Sequence, residues 1–495
     1  MKRMRWYDHL SVNLFWLGLN IRNTAVGSVF MPYLVDVFVR PEIKNTALGA
    51  MRTLGLLVAM LVQPAAGLLS DRSTSRFGRR RPYIFAGVVL DLVFLTAIAL
   101  AGSYWALFTA VLFLQVSSNI SHGPLQALIP DLVPEDQRGR SSAVKAVLEL
   151  LPLVLVAFTI AKLVAAQQVG WAVAVTGAAL LATMLMTLLA VKEEPLIEKP
   201  SEPLGPPMLR VLGMLAGIVA GAATGLAAGT IVGGLTWLAA RPLAGEAAAR
   251  VIGLGLGGIV AMAAAVVAGV WAGALGTLGQ DARRNASFTW WIANRLLFLA
   301  AVTSIQGFAP YFLMSAFSIS REAAIEMTAN LFMVVGILTL VTAIPSGWIA
   351  DRIGSRRLVG LSGIIAAAGT LVLLSTTLVP NLNTIYIAGG IIGLGSGLFV
   401  TTNWALGTQL APRAQAGRYL GISNLAGAGA GMIGSGLGGP VADLVNQSRP
   451  GWGYFVIFAC YGLLFVLSTF SLAGVRAGAS AAGPLAPLAP LIEAD

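Results

Sequence analysis

Amide and hydroxyl side chains gather on single helical faces in this chain. Asn13, Asn20, Asn23, Thr24 and Gly27 recur at helical spacing, and so do Gln115, Asn119, His122 and Gln126. Trp16 stands beside the first stripe. Amides both donate and accept, and aromatic rings stack on C–H faces, so two such stripes suit a polyhydroxylated ligand. Gln306, Tyr311, Asn330, Asn403 and Trp404 offer the same groups later in the chain. A free imidazole titrates near neutrality, so His122 is a candidate proton carrier. For any one of these residues the competing role is hydrogen bonding between packed helices. The two stripes taken together favour a lined cavity.

A second set is charged. Arg22, Arg52, Asp91, Lys145, Glu149 and Arg295 fall inside otherwise apolar runs. A charge there is costly and marks a functional site or a pair. Lys145 and Glu149 are spaced to neutralise each other across one helical turn. Asp91 has no partner nearby in sequence, so Arg22 or Arg52 is its expected counter-ion, as a structural staple or a proton-linked switch. Arg295 lies close enough to a run's end to snorkel outward. The histidines and the single Cys460 form no metal-ligand spacing, no nucleophile–base arrangement is legible, and no cofactor is implied.

The elements that must position these residues are set by composition. The 495-residue chain is 57% hydrophobic and 11% charged, with a mean hydropathy of +0.81; a soluble domain carries roughly 25% charged residues. Apolar runs long enough to cross a ~30 Å hydrocarbon layer recur throughout. In lipid every backbone polar group must be satisfied internally, so these runs are helices. The spacing predicts an all-α polytopic membrane protein with spans at about 11–38, 45–70, 82–102, 104–130, 140–166 and 169–191, then 211–240 and 249–277, then 287–316, 323–349, 357–378, 384–410, 419–445 and 453–475. The expected organisation is a six-helix half over 1–200, a linker and inserted pair over 201–285, a second six-helix half over 286–477, and a disordered tail over 478–495.

The charge of +11 does not point to nucleic acid, because the basic residues sit in short loops. Their bias to one side is more than threefold and places both termini in the cytoplasm. The expected partners are the lipid of a cell membrane and a small polar solute. In the inserted pair, Gly213, Gly217, Gly221, Gly225, Gly229 and Gly233 face Gly253, Gly257, Ala261, Ala265, Gly269 and Gly273, a small-residue seam for close helix packing.

Two loop patterns occur twice. Gly67, Asp71, Arg72, Gly78, Arg79 and Arg80 are answered by Gly347, Asp351, Arg352, Gly354, Arg356 and Arg357. Ala127, Leu128, Leu132, Pro134, Gly139 and Arg140 are answered 278 residues later by Ala405, Leu406, Leu410, Pro412, Gly417 and Arg418. Two patterns at nearly one offset indicate parallel halves. The residues of the first pattern in both copies, glycines included, are with Arg76, Asp131 and Arg138 candidates for a cytoplasmic gate held by ion pairs.

The loop pattern resembles the signature of the major facilitator superfamily. Val62-Gln63-Pro64 through Arg79-Arg80-Arg81-Pro82, with Asn119, Gly123-Pro124, Ala127-Leu128 and Asp131-Leu132, is similar to the sucrose–proton symporters within the glycoside–pentoside–hexuronide group. The resemblance implies a major facilitator fold and cation-coupled movement of a sugar or glycoside by alternating access. It also exposes a departure: Gln115 and Gln126 stand where the plant symporters carry an Asp and an Arg. The rival expectations are a facilitator or exporter of another solute, and a transporter-like membrane assembly factor.

Overall fold

The computed structural model describes residues 4–134, 137–193, 205–411 and 416–476. Most of the expected polar linker (194–204), Arg413, and the tail from Gly478 lie outside these residues. The described residues form helices, with no strand.

The first span is α1 (Trp6–Thr24), a π-helical stretch (Ala25–Phe30) and α2 (Met31–Phe38). There follow α3 (Lys44–Ser70), α4 (Arg81–Ala99), α5 (Tyr104–Leu132), the pair α6 (Arg138–Phe158) and α7 (Ile160–Ala165), and α8 (Val169–Ala190). The inserted pair is α9 (Gly205–Ala244) and α10 (Glu246–Leu278), longer than expected and beginning within the predicted linker. After the short α11 (Asp281–Arg284) come α12 (Ala286–Phe317), α13 (Arg321–Ile353), α14 (Ser355–Leu378), α15 (Leu382–Leu410), α16 (Ala416–Ser448) and α17 (Trp452–Ser471). These make fourteen rods, of which eleven are long and apolar enough by themselves to cross a membrane.

The two six-span bundles repeat one packing scheme. In the first, α1 packs on α6 and α8, α3 on α5, and α4 on α5 and α8. In the second, α12 packs on α16 and α17, α13 on α15, and α14 on α15 and α17. The bundles meet where α3 lies along α16 and α6 along α13. The described ends at Met4 and Arg476 and the two Gly-x-x-x-Asp-Arg loops share one face, the basic face; the opposite one is the distal face.

The seam between α9 and α10 shows what glycine does at a close approach. Gly217 backs onto Gly273, Gly221 onto Gly269, Gly229 onto Gly257, and Gly233 onto Gly253. In a bilayer such contact provides association that hydrophobicity does not, since lipid is as apolar as Leu. The hairpin then docks on the second bundle through α10, with Gly258 over Val441 and Gly255 over Val456, and Cys460 Sγ within 3.6 Å of the Gly255 carbonyl. Gly221→Leu is expected to split the seam and lower stability by about 1–3 kcal/mol, the usual overpacking cost. Gly234→Leu on the same helix enters open space and should leave thermal unfolding unchanged. Equal melting of the two variants in detergent would contradict the seam.

Among the described residues, every hydrogen bond and ion pair between the bundles lies toward the distal face. Arg321 Nε donates to Asp36 at 2.7 Å, and Lys44 holds the same carboxylate at 2.7 Å. Asp443 accepts from Asn45 Nδ2, the Thr46 backbone N–H and Thr46 Oγ1, each at 2.7 Å. Tyr311 donates to the Pro32 carbonyl at 2.8 Å. Gly49, Gly436 and Gly439 bring the α3 and α16 backbones together. The bundles are therefore clasped at one face, and among the described residues the polar side chains nearer the basic face bond within their own bundles.

Candidate functional site

In the middle of each bundle a cation sits over a tryptophan. Lys145 Nζ on α6 lies 4.0 Å from the ring centre of Trp16 on α1. The Arg295 guanidinium on α12 lies 5.4 Å from the ring centre of Trp404 on α15. Such contacts contribute roughly 0.5–2 kcal/mol, more when dry. At 1.5 Å per residue, Lys145, Glu149, Arg295, His122 and Trp404 stand roughly 9–16 Å from the basic-face ends of their helices, one layer near mid-membrane.

In the first bundle the layer is continued by His122, whose ring meets Trp16 edge-on at 5.2 Å, and by Gln126, 3.4 Å from His122 Nε2. Glu149 pairs with Lys145 at 3.4 Å, as their spacing predicts. In the second bundle Arg295 is held from behind. Its Nη1 donates to Asn403 Oδ1 at 3.1 Å; Asn403 Nδ2 donates to Asn294 at 2.8 Å; Asn294 Nδ2 donates to the Ser468 carbonyl at 2.8 Å. One turn away, Phe298 stacks on Phe399 at 3.7 Å, pinning α12 against α15. Arg295 therefore reaches inward instead of snorkelling: a fixed amide chain offers it an acceptor inside the bundle.

The remaining candidates are placed as follows. Arg22 and Asp91 form a buried ion pair at 3.2 Å, 2% and 0% exposed, and Ser117 donates to the second carboxylate oxygen. Arg22 is thus the counter-ion. Arg52 goes instead to the distal clasp, where it donates to the Gly27 carbonyl of the π-helical stretch and to Ser435 Oγ. Tyr311 belongs to the same clasp and is not brought to the tryptophan layer. Asn20 Nδ2 donates to the Trp16 carbonyl and Asn119 Nδ2 to the Gln115 carbonyl. Gln115 lies over Gly55 of α3. Asn23 is exposed, while Gln306 and Asn330 are half-buried and make no side-chain hydrogen bond among the described residues.

At the basic face the first loop copy is assembled. Arg80 is 4% exposed; it pairs with Asp71, donates through Nε to Asp131 at 3.0 Å and through Nη1 to Ser70 Oγ at 2.6 Å. The Gly67 carbonyl lies 3.4 Å from the same Nη1. Arg79 pairs with Asp131 at 2.6 Å. Glu193 accepts the backbone N–H groups of Arg80 and Arg81, at 2.9 and 3.2 Å. Gly78 has φ +97°, and a Cβ there would meet that glutamate, so the turn excludes other residues. Arg76 stacks on Phe77, and Arg138 donates to the Pro130 carbonyl. The second copy stands open: Gly347, Asp351, Gly354 and Arg357 are exposed, Arg356 is half-exposed, and Arg352 covers Trp348 at 3.8 Å.

Comparison with known proteins bears on this architecture. The family model described as Major Facilitator Superfamily matches residues 17–435 and, in a second match, 291–491. The sucrose transport protein SUC4 of Arabidopsis thaliana is 37% identical over 100 residues, 17% of this chain and 20% of that protein. Solute carrier family 45 member 3 of Mus musculus is 31% identical over 153 residues, 28% of this chain and 27% of that protein. The chain thus spans about a fifth to just over a quarter of the length of these relatives. Among solved structures, a D-xylose–proton symporter superposes with a TM-score of 0.61 at 16% identity, covering 94% of this chain and 97% of that one. The POT family transporter PepTSo gives 0.64 at 11%, covering 95% and 99%. The repeated bundle packing, the duplicated loops and a family match across most of the sequence have one outcome: this chain is a member of the major facilitator superfamily.

Proposed function

We propose that the protein is a secondary transporter of a small polar solute of the sugar or glycoside kind, working by rocking of the two bundles about the tryptophan layer. The observation that carries this reading is a pair of matching cation–aromatic contacts. Lys145 over Trp16 in the first bundle and Arg295 over Trp404 in the second lie at similar depth, where no hydrogen bond or ion pair joins the bundles among the described residues. With the basic face in the cytoplasm of a cell membrane, the distal clasp is the closed outer gate and the site opens inward. The name of the partial relative SUC4, a sucrose transport protein, supports a sugar, and the symporter resemblance supports proton coupling.

For that coupling, Glu149 is a better carrier than Asp91. Asp91 is dry and held by Arg22 and Ser117, whereas Glu149 is 36% exposed beside Lys145, with His122 and Arg295 in the same layer. Proteoliposomes supplied with labelled sucrose or simple glycosides, with and without a pH gradient, test the reading. Uptake enhanced by the gradient in the native protein and insensitive to it in Glu149→Gln is expected. Absence of uptake for every sugar would refute the sugar reading, and an unaltered gradient response in Glu149→Gln would remove that residue from coupling.

A further inference from the structure

The charges of the layer do not balance. Lys145 has Glu149 at 3.4 Å, and Arg22 has Asp91 at 3.2 Å. Arg295 has no carboxylate within ion-pair distance among the described residues; its partners are the neutral Asn403 and the face of Trp404. Its Nε is buried without an acceptor, and Nη2 takes none either. With Nη1 occupied by Asn403, the vacant edge is the Nε–Nη2 fork, the edge that binds a carboxylate or phosphoryl group through two parallel bonds. A cation left without an anion in a low-dielectric layer is costly. Asn403, Asn294 and Ser468 nonetheless hold this one rigidly, and Phe298 fixes its helix. That is the arrangement of a preorganised anion site.

We infer that the transported solute is itself anionic: a carboxylate or phosphoryl group on a hydroxylated body, docked on the Arg295 fork with Lys145 opposite and the body between Trp16 and Trp404. This rests on the transporter reading above and narrows its substrate class. Glu149, in the same layer and paired with Lys145, is then the internal competitor for the solute's anionic group.

Three probes of one skeleton separate the alternatives: glucose, gluconate and glucose 6-phosphate. Binding to the full-length purified protein is read by thermal shift and calorimetry, and flux by counterflow in proteoliposomes. At least one of the two anions is expected to bind roughly ten- to hundred-fold more tightly than glucose, as a charge-assisted bidentate contact supplies. Which anion leads identifies the group as carboxylate or phosphoryl. Arg295→Gln should bring the anion-to-glucose ratio to about one, Arg295→Lys should keep part of it, and Glu149→Gln should raise anion affinity. Equal affinities, a preference for glucose, binding of none of the three, or a ratio untouched by Arg295→Gln overturns the inference. If Arg295 serves only as partner to Glu149, both neutralising variants lose flux alike and no anion preference appears. Anion binding without counterflow would sink the transporter reading while leaving the anion site standing; glucose flux without anion preference does the reverse.

Discussion

Asp91→Asn is expected to lose about 3–5 kcal/mol of stability, the cost of removing one partner from a buried ion pair. The pair is 2% and 0% exposed, and it joins α1 to α4, with Ser117 of α5 as third member. Neutralising Asp91 strands Arg22, whose Nε already lacks an acceptor. The neutral amide still accepts from Ser117 but supplies no counter-charge to the guanidinium. The loss should appear as reduced yield of folded protein and an earlier melting transition in detergent. Replacing both members, as in Arg22→Met with Asp91→Leu, should cost much less than the two single changes added together, because no buried charge is then left unpaired. Additive losses would mean that the two side chains act independently. The double variant also separates the staple from the switch: if it transports with the native gradient dependence, Asp91 plays no part in coupling.

How far such features can be read in advance depends on their range along the chain. The spans are legible because the bilayer turns every long apolar run into a helix, whatever its neighbours. The fold follows from loop patterns near one offset, Asp71 with Asp351 and Arg140 with Arg418. Lys145 with Glu149 is legible because one helical turn sets the distance. Asp91 has two eligible partners, and only the bundle, which brings the α1 and α4 side chains within reach, chooses Arg22. Arg295 reads as a snorkelling residue in sequence, since nothing local announces the Asn403–Asn294–Ser468 chain that draws it inward. Trp16 under Lys145 joins positions 129 residues apart with no spacing rule between them. Tyr311 has the look of a ligand-facing phenol and instead closes the distal face, a role set by where α12 meets α2. The π-helical turn that presents the Gly27 carbonyl to Arg52 carries no mark that periodicity can detect.

That distal closure is the basis of the second large effect. Gly49→Leu combined with Gly439→Leu is expected to drive the two bundles apart at the distal face and abolish transport. A Cβ at Gly49 would run into the Ser435 carbonyl, and one at Gly439 into the Asn45 carbonyl, both backbone atoms that no rotamer change can move aside. Overpacking costs about 1–3 kcal/mol per site, which shifts a two-state ratio by roughly 5- to 150-fold. Reversing an equilibrium from 1:99 to 99:1 takes about 5.5 kcal/mol. One substitution should therefore bias the conformations and two should come close to inverting them, with the ion pairs of Asp36 and the hydrogen bonds of Asp443 surrendered to water as the clasp opens. Ser435→Cys is a suitable reporter in a Cys460→Ser background, since Ser435 is 1% exposed between Arg52 and Ser304. A maleimide should leave the introduced thiol unlabelled when the clasp is native, label it slowly with Gly49→Leu, and label it rapidly in the double variant. Folding must be intact for this to mean opening, so the melting transition is measured on the same samples. A folded double variant whose reporter thiol stays protected and whose transport persists would show that the α3–α16 contact is not the distal gate.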